Sequence, residues 1–252
     1  MRPGAVGRAA VALAIVAAVG CEGSLPGAEV EPAPAEIAAP ILTDVNPDPG
    51  IVEVHLVAGV GETSYLPGTT AAVWAYRDGA LPGSVGTVPG PTLEARRGYR
   101  VIVHFRNELP EEMTVHWHGI RLPNAADGTP AAQVPVPPGA NYDYVFTAVD
   151  EGTFWYHPHM HADRMIELGL QGGVRVRGDQ SLSAAADRLF VLDDVKLEAD
   201  GQPSTKTDIL DVMLGRQGNF VLINGRSDAR LAVKAGTRER WRFVNSANGR
   251  FF

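Results

Sequence analysis

"HWHG" at His116–Gly119 and "FWYHPHMH" at Phe154–His161 hold five of the seven histidines in this 252-residue chain. In each stretch the imidazoles recur two residues apart. On a β-strand, residues i and i+2 point to the same face and are separated by ~6.6 Å along it. Each pair is therefore expected to stand parallel on one strand, at a spacing that suits neighbouring metal ions or one ion reached from both sides. Two such strands side by side would make a wall of four imidazoles.

The sequence around these stretches supports strands. "IVEVHLVAG" sets Val52, Val54 and Leu56 against Glu53 and His55, and "YRVIVHFRN" sets Val101, Val103 and Phe105 against Arg100, Ile102, His104 and Arg106. "MTVHWHGI" puts Thr114, His116 and His118 on one face and Val115 and Trp117 on the other. "YDYVFTAV", "GTFWYHPH" and "QGGVRVRG" complete a first series, punctuated by Pro/Gly turns. "LFVLDDVKL", "NFVLING", "ARLAVKAG" and "RERWRFVNS" form a second. Short strands at this spacing predict an all-β antiparallel sandwich or barrel. Helix is expected for a turn or two at "ADRMIEL", and "SLSAAADRL" reads as a linker.

Composition agrees: 45 % hydrophobic residues with 28 glycines and 19 prolines describe a globular, turn-rich chain. A net charge of −7 argues against a nucleic-acid partner. No segment after residue 20 is apolar for long enough to cross a bilayer. Arg2 and Arg8 precede an apolar run, Ala9 to Gly20, so residues 1–20 read as a signal peptide. The run ends in "AAVGC", and Cys21 is the only cysteine. Small residues before a single cysteine resemble a bacterial lipobox, which makes Cys21 the expected site of lipidation and the protein exported, periplasmic or cell-surface, and anchored to the membrane. Residues 21–49, rich in Pro, Ala and Glu, read as an extended tether. Residues 50–180 are expected as one β-domain and 187–252 as the start of a second.

Imidazole suits zinc, copper, iron and nickel. Structural zinc usually brings cysteines and catalytic zinc a carboxylate at fixed spacing; neither pattern occurs, and an all-imidazole set beside aromatics fits copper better. His55 and His104 sit on polar strand faces and are expected to stay outside the site. Trp117, Trp155 and Tyr156 read as core packing.

"PGPTLEARRG", "HWHGIRLPNAADGTP", "VPPG" and "FWYHPHMHADRMIELGLQGG" together resemble the first domain of the multicopper oxidases, most closely the bacterial three-domain laccase- and cuproxidase-like members. The similarity runs from about Ile51 to Gly178. "DDVKLEADGQ", "DVMLGRQGNFVLING" and "RWRFVNSANGRFF" resemble, more weakly, the opening of the family's second domain. The resemblance implies cupredoxin-like Greek-key sandwiches and a trinuclear copper cluster, with His116 on the type 2 copper and His118, His157 and His159 on the paired type 3 coppers. It implies a role for Asp127 in orienting bound water and supplying protons, although "DG" is also an ordinary turn pair. His161 falls outside these assignments. The partners implied are dioxygen and a small reducing substrate, a metal ion or a phenol.

This chain departs from the family in one respect. Members carry two further histidine blocks, which supply the other trinuclear ligands and the type 1 copper site. No histidine follows His161 here. The chain is thus expected to be the N-terminal part of such an oxidase, inactive alone until further C-terminal domains are joined to it. The rival expectations are a copper-binding or copper-resistance module without turnover, and a scaffold that has lost its metals.

Overall fold

The computed structural model describes residues 14–17, 37–66, 68–179, 184 and 186–252. Cys21, most of the expected signal peptide and the first part of the tether lie outside the described residues. The described part of the apolar N-terminal run is β1 (Ala14–Ala17), a four-residue strand.

The first strand series folds into two facing four-stranded sheets. β2 (Ile51–Thr63), β3 (Ala71–Asp78), β5 (Arg100–Asn107) and β7 (Asn141–Thr147) make one, in the order β3-β2-β5-β7. β4 (Gly90–Arg96), β6 (His116–His118), β8 (Gly152–His157) and β9 (Gly172–Arg177) make the other, in the order β4-β9-β8-β6. The expected alternation is present: Val52, Val54, Leu56, Val101, Val103 and Phe105 are all buried, while Glu53, His55, Ile102 and His104 are partly exposed. Leu93, Trp117, Tyr156, Val174 and Val176 of the second sheet meet them in one contiguous core.

The sheets are mixed rather than antiparallel as expected. β2 pairs with β5 in parallel, as does β4 with β9. The chain leaves the first sheet after β3, runs through β4 in the second, and returns as β5 beside β2. A strand that re-enters its sheet after such a crossover can lie parallel to its neighbour, whereas a hairpin cannot.

The second series forms a three-stranded sheet in which β10 (Ala186–Val195) lies between β11 (Phe220–Ile223) and β13 (Glu239–Asn245). β12 (Arg230–Val233) pairs in parallel with β1. The stretch expected as a linker is therefore already strand from Ala186. Polar contacts join this sheet to the sandwich: Arg175 donates to Asp187 O at 2.6 Å and is ion-paired with Glu94, and Arg242 donates to Thr153 Oγ1 at 3.1 Å.

The end of the expected tether is packed rather than loose. Ile37 and Leu42 are buried, and Leu42 and Thr92 are linked by a backbone hydrogen bond of 3.0 Å. Leu42 packs into the sandwich core, and Ile37 packs with Phe190, Ile223 and Leu231 of the second strand series.

Helix is scarce. α1 (Ala162–Glu167) follows the second histidine stretch as expected. α2 (Ile209–Leu214) was not anticipated, yet its signal is local. The Asp208 carboxylate accepts from the backbone N–H of Leu210 and Asp211, and Asp211 reaches back to the Asp208 N–H. That is a capping box with Asp at both ends.

Candidate metal centre

β6 is the edge strand of the second sheet and pairs antiparallel with β8, His116 opposite His157 and His118 opposite Trp155. Alternation then places His116, His118, Trp155 and His157 on one face and Trp117 and Tyr156 on the core face. Trp117, 1 % exposed, packs 5.5–5.7 Å from the rings of Tyr144, Phe146 and Tyr156. The Tyr144 hydroxyl accepts from Val115 N at 2.8 Å and Tyr156 donates to Pro91 O at 2.7 Å. The aromatic layer therefore holds the backbone of both histidine strands from below.

The strand argument holds for one pair only. β8 ends at His157; Pro158 has no N–H for a ladder, and His159 lies in the bend beyond. The rings also depart from the expected parallel array. His116 and His118 are 5.6 Å apart at 78°, whereas His157 and His159 are 6.3 Å apart at 23°. Strand geometry fixes where a side chain starts, and rotation about its own torsions decides where the ring plane ends.

The four rings nevertheless lie close together, with His159 at the margin of the group whose nitrogens meet. The His116 ring lies 5.6, 5.4 and 5.2 Å from those of His118, His157 and His159. One ligand nitrogen from each of His116, His118 and His157 lies within 4.8 Å of the others. His161 caps the start of α1 in a left-handed conformation, φ 44°, with its side chain exposed.

Hydrogen bonds set which nitrogens are free. His116 Nδ1 donates to the Asp127 carbonyl at 2.7 Å, leaving Nε2 as a lone-pair donor. The Asp127 carboxylate lies 3.7 Å from the same Nδ1. His157 Nδ1 donates to Pro158 O at 2.7 Å, again freeing Nε2. That Nε2 faces His118 Nδ1 at 3.3 Å. Burial, with the neighbouring imidazoles adding to it, pulls the His157 pKa down to about 4, and partial desolvation of a still exposed ring, with His116 and His159 nearby, lowers that of His118. Burial thus favours the neutral form of His118 and His157, the form that binds a metal.

Asp127 reaches His116 through a tight turn. It ends the short 3-10 segment Asn124–Ala126, whose Ala126 is buried. The next residue, Gly128, has φ +79°, and a Cβ there would sit 1.9 Å from Val115 O. Only glycine lets this loop lie flat on β6.

Trp155 was read as core and is not. It is half-buried, with its indole 4.2 Å from the His157 ring and 5.2 Å from that of His118. The signal was present in the sequence, since Trp155 lies two residues before His157 and shares its face. His55 and His104 stay outside the site as expected. They face each other across the first sheet, and His104 lies between Glu53 and Asp143, 2.8 Å from each.

Two facing sheets with the histidine strands at one edge define a cupredoxin-like β-sandwich. Residues 67–181 match the family model described as Multicopper oxidase, and this stretch is a multicopper oxidase domain. Among curated relatives, "Multicopper oxidase mco" of Staphylococcus aureus is 30 % identical over 224 residues, covering 85 % of this chain and 47 % of that protein. A multi-copper oxidase from Pseudomonas thermotolerans superposes with a TM-score of 0.72 at 32 % identity, over 78 % of this chain and 47 % of that one. A bacterial laccase-like multi-copper oxidase, CueO, from an Ochrobactrum species gives 0.70 at 26 % identity, over 84 % and 47 %. The chain spans about half the length of these relatives.

Proposed function

We propose that His116, His118, His157 and His159 hold copper ions and supply half of the ligands of a trinuclear cluster. The observation that carries this is the approach of His118 Nδ1 to His157 Nε2 at 3.3 Å. His157 Nε2 is a free lone pair, because its Nδ1 is spent on a carbonyl. Facing nitrogen bases at that distance need a proton or a cation between them, and two further imidazoles lie alongside. The donors are neutral nitrogens with no thiolate among them, a set that fits copper.

His118, His157 and His159 would hold the type 3 pair and His116 the type 2 ion. Copper held there supplies one-electron redox chemistry for the reduction of dioxygen to water, with electrons drawn from a small reducing substrate, a metal ion or a phenol. The chain's own residues fix the donors. Asp127 O holds the His116 tautomer and Pro158 O that of His157, while the Asp127 carboxylate is placed to hold and pass on a proton beside His116. The type 1 ligands lie outside this set of residues, so this chain alone should show no blue charge-transfer band and no oxidase turnover. The remaining ligands come from further domains.

The same reading makes Cys21 the lipidated first residue of a mature, exported protein anchored to the membrane; mass spectrometry of the mature N-terminus checks it. The metal reading is tested by titrating the metal-free chain with cupric ion under electron paramagnetic resonance. Loose but saturable binding that is weakened tenfold or more in His157→Ala supports it. Equal binding by parent and variant refutes it, as does oxygen consumption by the 252-residue chain on its own for the division of ligands.

A further inference from the structure

Trp155 is the large side chain on the histidine face that ligand chemistry leaves unexplained. Its indole lies against both imidazoles that share the 3.3 Å approach, 4.2 Å from His157 at 30° and 5.2 Å from His118 at 31°. The His157 ring is stacked on the indole and the His118 ring is tilted against it, both contacts at distances that aromatic rings favour. Trp117 on the opposite face is buried among core rings, but Trp155 is half-buried and its partners are the candidate ligands themselves.

The two rings also differ in what else restrains them. His157 is fixed through Nδ1 by Pro158 O and is 8 % exposed. His118 is exposed, and among the described residues its ring hydrogen-bonds to His157. Without another restraint, an exposed imidazole on an edge strand samples several rotamers. The cross-strand pairing of His118 with Trp155 provides that restraint.

We propose that Trp155 is a positioning residue: its indole is the template on which His118 and His157 lie, so that Nδ1 of one and Nε2 of the other converge on one ion. This rests on the copper reading above. It differs from that reading in what it predicts for the metal-free protein, where ring order should already depend on the indole.

The test uses the 252-residue chain with labelled histidines, together with Trp155→Phe and Trp155→Met. Without metal, the His118 and His157 ring resonances should be single in the parent and in Trp155→Phe, and split or broadened in Trp155→Met. Cupric ion should then bind about tenfold more weakly to Trp155→Met, the loss typical of residues that orient ligands. Its paramagnetic resonance spectrum at saturation should show a spread of hyperfine splittings, while Trp155→Phe retains the parent spectrum. Unchanged ring resonances and an unchanged saturated spectrum in Trp155→Met would overturn the proposal, whatever happens to its melting temperature. Failure of the metal reading looks different. Parent and His157→Ala would then bind copper equally, and the metal-free resonances would still decide whether Trp155 orders the rings.

Discussion

Nδ1 of His118 and Nε2 of His157 stand 3.3 Å apart across 39 residues of chain. The antiparallel pairing of β6 with β8 and the shared indole of Trp155 bring them together. Removing either ring takes away one of two converging donors. His118→Ala and His157→Ala should each weaken cupric binding tenfold or more, read by titration. His55→Ala and His104→Ala, on the other sheet, should leave it unchanged.

The metal-free protein should lose stability in mild acid. The folded His157 pKa, depressed by burial to about 4, lies below the unfolded value of about 6.5. The unfolded chain therefore binds the extra proton first as pH falls. Stability is full above pH ~6.5 and declines as pH falls toward 4, by at most on the order of 3 kcal/mol. Urea unfolding of parent and His157→Gln across this range measures it. The variant should show a shallower decline.

Gly128→Ala should be among the most damaging single-methyl additions in the sandwich. It places a Cβ 1.9 Å from Val115 O at φ +79°, so the loop must lift off β6. A loss of roughly 2 kcal/mol or more is expected from backbone strain together with the displaced contact. Because the same loop carries Asp127, copper affinity should fall with the melting temperature. A variant with parent stability would disprove the close approach.

Asp193 should make the protein sensitive to alkali. Its carboxyl is buried on β10 and accepts from the Gln171 amide. Burial, with Asp194 and Glu167 nearby, raises its pKa to about 8. The folded protein thus holds a proton that the unfolded chain releases near pH 4, and stability falls as pH rises from there toward 8. Asp193→Asn mimics the protonated acid. It should remain folded and flatten the decline seen by denaturant unfolding between about pH 4 and pH 8.

Much of this architecture was legible in single strands. Val52, Val54 and Leu56 alternate with polar residues, as do Val101, Val103 and Phe105, and both sets are buried as that pattern requires. The H-x-H spacing of His116 and His118 identified a face. Local patterns do not encode strand neighbours, so the parallel pairing of β2 with β5 was missed. α2 was missed although its Asp208–Asp211 capping box was readable.

The sequence by itself determined that this chain is a β-protein carrying two imidazole pairs of metal-ligand type, because hydrophobic period and residue chemistry are local properties. Tertiary structure alone decided which nitrogens meet, that the second pair runs off the strand at Pro158, that Asp127 reaches His116 through Gly128, and that Trp155 faces His118 and His157 rather than the core. Those facts depend on strand order, side-chain rotation and loop contact between residues far apart in the chain, and no spacing along the chain specifies them.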